Sequence, residues 1–354
     1  MIVSQLIPKQ GICSLIVESP DDLWTLRRLI SPGDTIVTKS SRVVKNEGEY
    51  SRPDRGERVK ITIALAVEEV SLDSSVGRLR IRGRIVEASD DIVSTAGAHS
   101  VSVTPGYGLT LKKQDWTPLC TSILNSTKDN GGRFLIVAID RREAALGLLS
   151  GSHLGILLSV ESGAAGKGVK ESDAGPFMKK IVEALRNSWR EGDKVVIAGP
   201  GNTKLAFATR VAAEPDLGKN YVVLEGFDLA GADGVRGLIK LDAFQQVARD
   251  STLVKVQSIV NELIRRIVRG DTRIAYTLPR VKEASDAGAV ESCVVTDDVF
   301  TRNVDEEVVV DVLNSVEGRG GKVYLCDSSL ETGKQVASFG GIMATLRYSL
   351  KSWR

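Results

Sequence analysis

The sequence predicts a multidomain protein with an α+β first part followed by α/β parts. Its 354 residues are enough for two or three domains of ~100–200 residues each. Residues 1–128 contain several short strands of alternating polarity and one short helix, which favours a small β-barrel. Residues 129–270 and 271–354 alternate strands with helices, a pattern typical of helices that cover a sheet. We therefore expect a β-barrel N-terminal domain, a central α/β domain and a C-terminal α/β sandwich.

The first domain is predicted from polar–apolar alternation and from one short helix. Asp21 and Asp22 would lie in the first turn of this helix, and Arg27 and Arg28 in its last turn, where each charge complements the helix dipole. Residues 46–58 carry one apolar side chain and are therefore expected to form a long charged loop. The predicted elements are a helix at 21–29 and strands at 12–18, 35–45, 59–67, 78–85, 101–103 and 109–112.

Basic residues are concentrated in the first domain, although the net charge of the whole chain is only +2. Nine basic residues between Arg27 and Lys60 are opposed by five acids. In the strand at 78–85, a period of two places four arginines on one face and apolar residues on the other. No acid lies between these arginines in the sequence.

Arginine binds phosphates through two hydrogen bonds and stacks on bases. Small β-barrels with a basic face commonly bind RNA. We therefore predict RNA contact at this face, with a merely solvated charged strand as the alternative. The predicted RNA-binding residues are Arg42, Lys45, Arg52, Arg55, Arg58, Arg78, Arg80, Arg82 and Arg84.

The centre of the chain, KVVIAGPGNTK at 194–204, predicts a buried strand, a tight loop and a helix. Pro200 cannot donate to a sheet, and the glycines on either side permit positive φ angles. Asn202 or Thr203 can then cap a helix at 204–213. Such a loop lies at the carboxyl end of its strand, where α/β domains bind ligands, although a plain connecting turn fits equally well. The Walker pattern Gly-x-x-x-x-Gly-Lys-Ser/Thr is absent from the sequence.

The remaining elements follow from hydrophobic periodicity and from glycine stops. One of them, the helix at 243–268, is predicted without a break. The central domain is predicted to hold strands at 134–140, 143–149, 155–160, 195–198 and 221–225 and helices at 176–189, 204–213 and 243–268. The last domain is predicted to hold helices at 279–287, 305–316 and 331–339 and strands at 290–296, 322–326 and 342–346.

The sequence offers little material for catalysis, and we predict no catalytic and no metal-binding residue. The only histidines are His99, at the start of a strand, and His153, in a loop, and they lie in different predicted domains. This leaves almost no material for a Ser-His-Asp triad or a two-histidine metal site. Four cysteines lie far apart with no C-x-x-C pair, which argues against zinc and against a disulfide scaffold. We expect all four to be buried, namely Cys13, Cys120, Cys293 and Cys326.

The N-terminal segment MIVSQLIPKQG has no basic region followed by a long apolar run. No segment reaches the ~18 apolar residues that a transmembrane helix needs. We expect a cytoplasmic protein that does not bind membranes, and a monomer.

Three groups of residues carry a resemblance to a known family. They are AY, VKEA and GAVE at 275–276, 281–284 and 288–291, GGIMATLRY at 340–348, and GAHSV and LTLK at 97–101 and 109–112 with Trp116. In this order they resemble the Pelota family of ribosome-rescue factors, relatives of the class-1 peptide release factors of archaea and eukaryotes. The resemblance covers essentially the whole chain.

The resemblance implies an Sm-like β-barrel as first domain, which enters the decoding centre of the ribosome. The counterpart of the 45–60 loop would reach toward the mRNA channel. The loop of Gly199, Pro200, Gly201 and Asn202 would help bind a GTPase of the elongation-factor-1-alpha type, together with the third domain. Family members usually have phenylalanine where this chain has Asn202. An ABC-type recycling ATPase is the second implied protein partner.

Release factors of this lineage carry Gly-Gly-Gln, whereas the Gly-Gly pairs of this chain precede Arg133, Lys322 and Ile342. The stop-codon motif Asn-Ile-Lys-Ser is absent as well. These differences disfavour a codon-reading release factor. The implied function is recognition and rescue of stalled ribosomes in mRNA surveillance (no-go and non-stop decay), by a tRNA-shaped adaptor that binds rRNA and mRNA at the empty A site and promotes dissociation without peptide release.

The alternative is a divalent-metal-dependent endoribonuclease in the first domain, an activity that the resemblance also allows. Metal-dependent cleavage of RNA needs two or three converging acids, and Asp21, Asp22 and Asp34 are the candidates. A divalent cation would be a cofactor only in that case, and no other cofactor is implied. An adaptor is favoured over an enzyme.

Overall fold

The structure is a computed structural model that describes residues 1–44, 57–73, 76–89, 97–126, 131–162, 175–301 and 305–350. Contacts between residues divide the chain into two compact units. One contains Met1–Lys128, Arg266–Val323 and Lys334–Arg354, and the other contains Asp129–Arg265 and Tyr324–Gly333. Within the described ranges, no helix is both long and apolar enough to cross a membrane.

The first 128 residues form one antiparallel sheet with two helices. Its strands are β1 (Ile2–Ile7), β2 (Ile12–Ile16), β3 (Thr35–Val44), β4 (Glu57–Asp73), β5 (Arg78–Ala88), β6 (Ala98–Val103) and β7 (Gly108–Lys112), and its helices are α1 (Pro20–Leu29) and α2 (Pro118–Ser126). The seven strands lie in the order β1-β2-β7-β3-β4-β5-β6, and each neighbouring pair is antiparallel. In the described strands the two edges, β1 and β6, do not pair with each other. The sheet is therefore open, and a barrel is not confirmed.

Most predicted elements of this region are confirmed, but β1 and α2 were not predicted. The sequence of β1, IVSQLI, lacks regular alternation because Ser4 and Gln5 adjoin, and its register against β2 shifts between Val3 and Gln5. Helix α1 begins where the sequence predicts. Asp22 Oδ2 accepts hydrogen bonds from the backbone N–H groups of Glu18 (2.7 Å) and Ser19 (3.0 Å), which satisfies donors that precede the first helical turn.

The second sheet contains β8 (Arg133–Ile139), β9 (Glu143–Ser150), β10 (His153–Glu161), β11 (Lys194–Ala198) and β12 (Tyr221–Val223). Its order is β10-β9-β8-β11-β12, with β11 parallel to both of its neighbours. The helices of this region are α3 (Gly175–Ser188), α4 (Thr203–Ala212), α5 (Gly231–Leu238), α6 (Asp242–Val247) and α7 (Thr252–Val268). The predicted mixed α and β content of this region is confirmed.

A core lies on each face of the second sheet because successive side chains of a strand point to opposite faces. Leu135 and Val137 of β8 pack on the face that carries Ile181 of α3 and Phe207 of α4. The neighbouring Ile136 packs on the other face, with residues of α5, α6 and α7. Both faces of β8 and β11 are therefore apolar, as the sequence predicts for a strand between two helical layers.

The prediction of one helix at 243–268 is wrong. The chain leaves the helical path after α6, where Ser251 N–H donates to the carbonyl of Ala248 (2.8 Å). The hydroxyl of Ser251 then accepts from Val254 N–H (3.3 Å) at the start of α7, a capping role that serine favours. The helical spacing of apolar residues in the sequence continues through this turn, and for this reason the turn was not predicted.

Helix α5 was not predicted because three glycines in eight residues weaken helix propensity. They allow close packing instead: a Cβ on Gly234 would lie 2.7 Å from the Cβ of Ala138. His153 was predicted in a loop, but it begins β10, where the turn before it is shorter than expected.

The third sheet contains β13 (Ile274–Tyr276), β14 (Val290–Thr296), β15 (Lys322–Cys326) and β16 (Ile342–Leu346), in the order β13-β16-β14-β15. Its helices are α8 (Leu278–Asp286), α9 (Glu306–Gly318) and α10 (Glu331–Ser338). Except for β13, each of these elements was predicted. The domain boundaries at residues 128 and 270 stay a prediction.

Thr277 carries backbone strain at the start of α8. Its φ of 68° and ψ of 149° lie in a region that glycine occupies readily and other residues avoid. Within the described ranges it is the one residue other than glycine with a positive φ.

We predict that Thr277→Gly stabilises this region by about 1 kcal/mol, because the strained Cβ is removed. Hydrogen–deuterium exchange of the amides in α8 and β16 should then slow about fivefold. Thr277→Ala, which keeps a Cβ, is the matched control and should show no such slowing. An equal response of the two variants would contradict the assignment of strain.

Candidate functional site

The arginine face of β5 is formed as predicted. Leu79, Ile81 and Ile85 are buried at 1% exposure or less, while Arg82 and Arg84 on the opposite face are exposed. Arg78 and Arg80 on the same face are half-buried. The row therefore points away from the core of its own sheet.

The neighbouring strand β4 supplies carboxylates to three of these arginines. Glu68 lies 2.8 Å from Arg84, Glu69 lies 3.3 Å from Arg82, and Asp73 lies 3.7 Å from Arg78, measured between nitrogen and oxygen. The pairing register causes this, because Glu69 and Asp73 stand directly opposite Arg82 and Arg78. A bulge between Val67 and Glu69 brings Glu68 toward Arg84.

Sequence reasoning missed these acids because it considered β5 alone. The signal was the alternation of Glu69, Ser71 and Asp73, which lies at the end of a strand that proved longer than predicted. Four arginines and three carboxylates leave the row with one net positive charge. The row is consequently far less basic than its own strand suggests.

Arg80 carries that remaining charge. It stands opposite Ser71 on β4 and Ser102 on β6, so that neither neighbouring strand places a carboxylate against it. Within the described part of the chain it is the member of the row without an acidic partner. An anion approaching this face would meet an unneutralised guanidinium at this position.

The three ion pairs are exposed, with side-chain exposures between 37% and 68%. Exposed pairs of this kind stabilise a fold by about 0–1 kcal/mol. An arginine in such a pair can therefore exchange its carboxylate for a phosphate at small cost.

Of the other predicted RNA-binding residues, two lie on described strands and three lie outside the described residues. Arg42 lies on β3 and Arg58 on β4, near the ends of the two strands that lead into the charged segment. Lys45, Arg52 and Arg55 lie outside the described residues. RNA binding by all of these residues stays a prediction.

The loop after β11 depends on glycine at its first position. Gly199 has a φ of 139°, and a Cβ there would lie 2.0 Å from the carbonyl oxygen of Ile139. Gly201 also has a positive φ, of 63°, but apart from its chain neighbours no atom of the described residues lies within 4 Å of the position of its Cβ. Gly199 is thus required by a close backbone approach, whereas Gly201 is required only by its conformation.

Asn202 precedes α4 but does not cap it with its side chain, contrary to the expectation for Asn202 or Thr203. Its backbone carbonyl accepts from the N–H groups of Leu205 (3.0 Å) and Ala206 (3.2 Å). The φ of −89° and ψ of −7° are already helical, and an N-cap side chain bonds best from an extended backbone. The Asn202 side chain is left exposed.

A buried lysine holds this loop, a feature that sequence reasoning missed. Lys204 is 5% exposed, and its Nζ donates to the Gly199 carbonyl at 3.0 Å. The same Nζ lies 2.9 Å from Glu225 Oε2, beyond the end of β12. A buried charge is costly unless it is paired. These two contacts of Lys204 therefore stabilise the backbone of the loop at Gly199. Pro200 and Asn202 are presented on a rigid support.

Two of the acids considered for metal binding have structural roles. Asp22 is fully buried, and its Oδ2 also contacts the N-terminal ammonium of Met1 at 2.7 Å. Asp34 Oδ2 accepts from Ser31 N–H (2.8 Å) and from the ammonium of Lys113. Neither carboxylate presents this oxygen to solvent for an ion.

The cysteines are free thiols, and three of them are buried, whereas Cys120 is half-buried. Burial raises the pKa of Cys13 to about 11 and that of Cys293 to about 12. Both thiols therefore stay protonated at neutral pH, and a protonated thiol is a poor nucleophile.

Comparison with known proteins agrees with this architecture. The model of the Pelota N-terminal domain matches residues 2–128, and that of eRF1 domain 3 matches residues 253–350. The pelota homolog of Nitrosopumilus maritimus is 38% identical over 97% of this chain and 98% of its own. That of Pyrococcus horikoshii is 27% identical over 97% and 98%.

Solved structures show the same fold. The crystal structure of Thermoplasma acidophilum Pelota matches with a TM-score of 0.64 at 22% identity, over 99% of this chain and 100% of that one. Archaeoglobus fulgidus Pelota matches with a TM-score of 0.51 at 25% identity and the same coverage. Sequence and fold agree over nearly the full length, and this chain belongs to the Pelota family.

Proposed function

We propose that this chain recognises and rescues stalled ribosomes in mRNA surveillance. It acts as a tRNA-shaped adaptor that binds the empty A site with a translational GTPase and promotes ribosome dissociation without peptide release. The observation that carries the proposal is 38% identity to a pelota homolog over 97% of the chain. The lack of Gly-Gly-Gln in the sequence agrees with a factor that does not release the peptide.

We propose that the first domain binds ribosomal RNA through the arginine face of β5. Arg80 makes the first contact with phosphate because, among the described residues, no carboxylate is paired with it. Arg78, Arg82 and Arg84 then exchange Asp73, Glu69 and Glu68 for phosphate oxygens, which is feasible because their pairs are exposed. Arg42, Lys45, Arg52, Arg55 and Arg58 would extend this surface along the charged segment.

We also propose a division into three domains, at 1–128, 129–270 and 271–354, with an Sm-like first domain. The family matches at 2–128 and 253–350 support separate first and last domains. The antiparallel strand order of the first sheet is compatible with an Sm-like fold.

The loop of Gly199, Pro200, Gly201 and Asn202 is our candidate for the GTPase contact, assisted by the last domain. Its rigid support by Lys204 suits a docking surface, because little conformational freedom is lost on binding. An ABC-type ATPase is the second protein partner in this proposal. The chain would work as a monomer in the cytoplasm, where ribosomes translate.

The alternative function, metal-dependent cleavage of RNA in the first domain, is less well supported. Two of its three candidate acids, Asp22 and Asp34, are occupied by internal hydrogen bonds. An adaptor needs no such acids, and the comparisons with Pelota proteins favour it.

The first experiment tests Arg80. We predict that Arg80→Ala weakens binding to stalled ribosomes and reduces the slope of log affinity against log salt by about 0.7–0.9, the value for one lost phosphate contact. Filter binding or sedimentation at several salt concentrations measures this slope. Lys9→Ala, a change at the opposite edge of the same sheet, is the control and should leave the slope unchanged. An unchanged slope for Arg80→Ala would remove this residue from the RNA contact.

The second experiment tests the carboxylates of β4. We predict that the double substitution Glu68→Gln and Glu69→Gln tightens ribosome binding by about twofold to tenfold, because two competitors of about 0–1 kcal/mol each are removed. The fold itself should keep its melting temperature within a few degrees, since both side chains are exposed. Unaltered or weaker binding by a folded variant would mean that Arg82 and Arg84 do not meet phosphate.

The third experiment tests the loop after β11. Asn202→Phe introduces the aromatic residue that the family usually carries, and we predict a severalfold gain in affinity for the GTP-bound partner. Pro200→Ala should reduce that affinity, whereas Arg210→Ala, on the exposed far end of α4, is the control. Calorimetry or surface plasmon resonance gives the affinities. If both loop variants bind as the parent chain does, the docking surface lies elsewhere.

A further inference from the structure

A cluster of ion pairs, in which the arginines are buried and Glu307 is partly exposed, joins α1 of the first 128 residues to α9 of the last domain, within one compact unit. Its centre is Arg27, which is 1% exposed. The Nε of Arg27 donates to Glu306 Oε2 and its Nη2 to Glu307 Oε1, both at 2.8 Å. Glu306 Oε2 also accepts from the backbone N–H of Leu72 at 3.3 Å. A guanidinium deep in the protein is thus neutralised by carboxylates from a distant part of the sequence.

A second arginine repeats the arrangement one residue later. Arg28 Nη2 donates to Glu317 Oε2 at 2.9 Å and to Asn314 Oδ1 at 3.0 Å. The amide of Asn314 returns a hydrogen bond to the Arg28 carbonyl at 3.3 Å. Arg28 and Glu317 are 8% and 11% exposed, so that this pair is also largely removed from water.

An aromatic stack completes the contact. Trp24 of α1 lies on Phe300 with ring centroids 4.6 Å apart and an interplanar angle of 17°. The Cζ of Arg27 lies 5.9 Å from the centre of the same Phe300 ring. Among the described residues the indole N–H of Trp24 is buried without a hydrogen-bond partner. A buried donor without a partner raises the free energy of the closed contact.

The chemistry of this contact differs from that of a permanent core. The largely buried side chains of Arg27, Arg28 and Glu317 become hydrated when the two surfaces separate, whereas a purely apolar contact would resist separation. The contact is specific in the closed state because one misplaced partner leaves a buried charge unpaired.

We propose that α1 and α9 form a clasp, made of Trp24, Arg27 and Arg28 against Phe300, Glu306, Glu307, Asn314 and Glu317. The clasp holds the first and last domains together in the free chain. Its contacts break together, and the two domains then separate from each other. Opening returns Arg27 and Arg28 to solvent and so adds two cations to the first domain. This proposal does not rest on the proposed ribosomal function.

The test is a distance measurement between the two domains in the full chain. Spin labels are attached at the exposed positions Lys9→Cys and Lys282→Cys, with Cys120→Ser to remove the half-buried thiol, and dipolar electron paramagnetic resonance gives the distance distribution. We expect one narrow distribution for the otherwise unchanged chain. Glu306→Ala with Glu307→Ala should shift most of the population to longer, broader distances.

Asp311→Ala is the matched control, since Asp311 is exposed on the same helix, and it should keep the narrow distribution. Helical content by circular dichroism identifies any variant that fails to fold. A folded Glu306→Ala, Glu307→Ala chain with an unchanged distribution would overturn the proposal.

Charge-reversal variants of Arg28 and Glu317 provide an independent test of the clasp. Arg28→Glu alone places like charges together and should open the clasp, and so should Glu317→Arg alone. The two changes combined restore an opposite-charge pair and should return the narrow distribution. If the combined variant folds but stays as open as the single variants, the ion pair does not hold the domains and the proposal fails.

Discussion

The antiparallel register between β4 and β5 is the constraint on which the charge of the first domain depends. A shift of one residue would turn the acidic residues of β4 to the opposite face of the sheet. In the observed register, Glu69 and Asp73 face Arg82 and Arg78, and Ser71 faces Arg80. In the part of the chain that the structure describes, the face therefore consists of three exposed ion pairs and one guanidinium, that of Arg80, without an acidic partner. The three carboxylates reduce the net positive charge that this face offers to anions.

In the loop after β11, the residues that determine the backbone conformation differ from the residue whose side chain is exposed. Its shape is determined by the close approach of Gly199 to the Ile139 carbonyl and by the buried ammonium of Lys204. Neither contact involves the side chain of Asn202, which is exposed. The backbone of the loop is therefore held by contacts that do not depend on the residue type at position 202. In the proposed contact with a GTPase, the side chain offered at this position is a polar one.

The sequence predicted those features that depend on local order, and it missed those that depend on pairing between distant segments. The alternation around Leu79 and Ile81 was enough to assign β5 and its arginine face, and the apolar run before Gly199 was enough to assign β11. The carboxylates that neutralise the arginines come from β4, and register cannot be read from one strand alone. The break before Ser251 was hidden because the apolar period continued through it, and the buried role of Lys204 depends on Glu225, which lies on another segment. For the same reason, Arg27 and Arg28 were counted as basic surface, although α9 neutralises both.

Burial gives arginines of one domain two different roles. Arg82 and Arg84 lie in exposed ion pairs, whereas the side chains of Arg27 and Arg28 are only 1% and 8% exposed. In the proposed clasp, a polyanion reaches Arg27 and Arg28 only when the contact between α1 and α9 opens. If it binds the open form more tightly, opening and polyanion binding favour each other by the same free energy, because linkage between two equilibria is reciprocal. The carboxylates of α9 would then set a threshold, so that a strong, closely spaced array of phosphates opens the clasp while isolated anions do not.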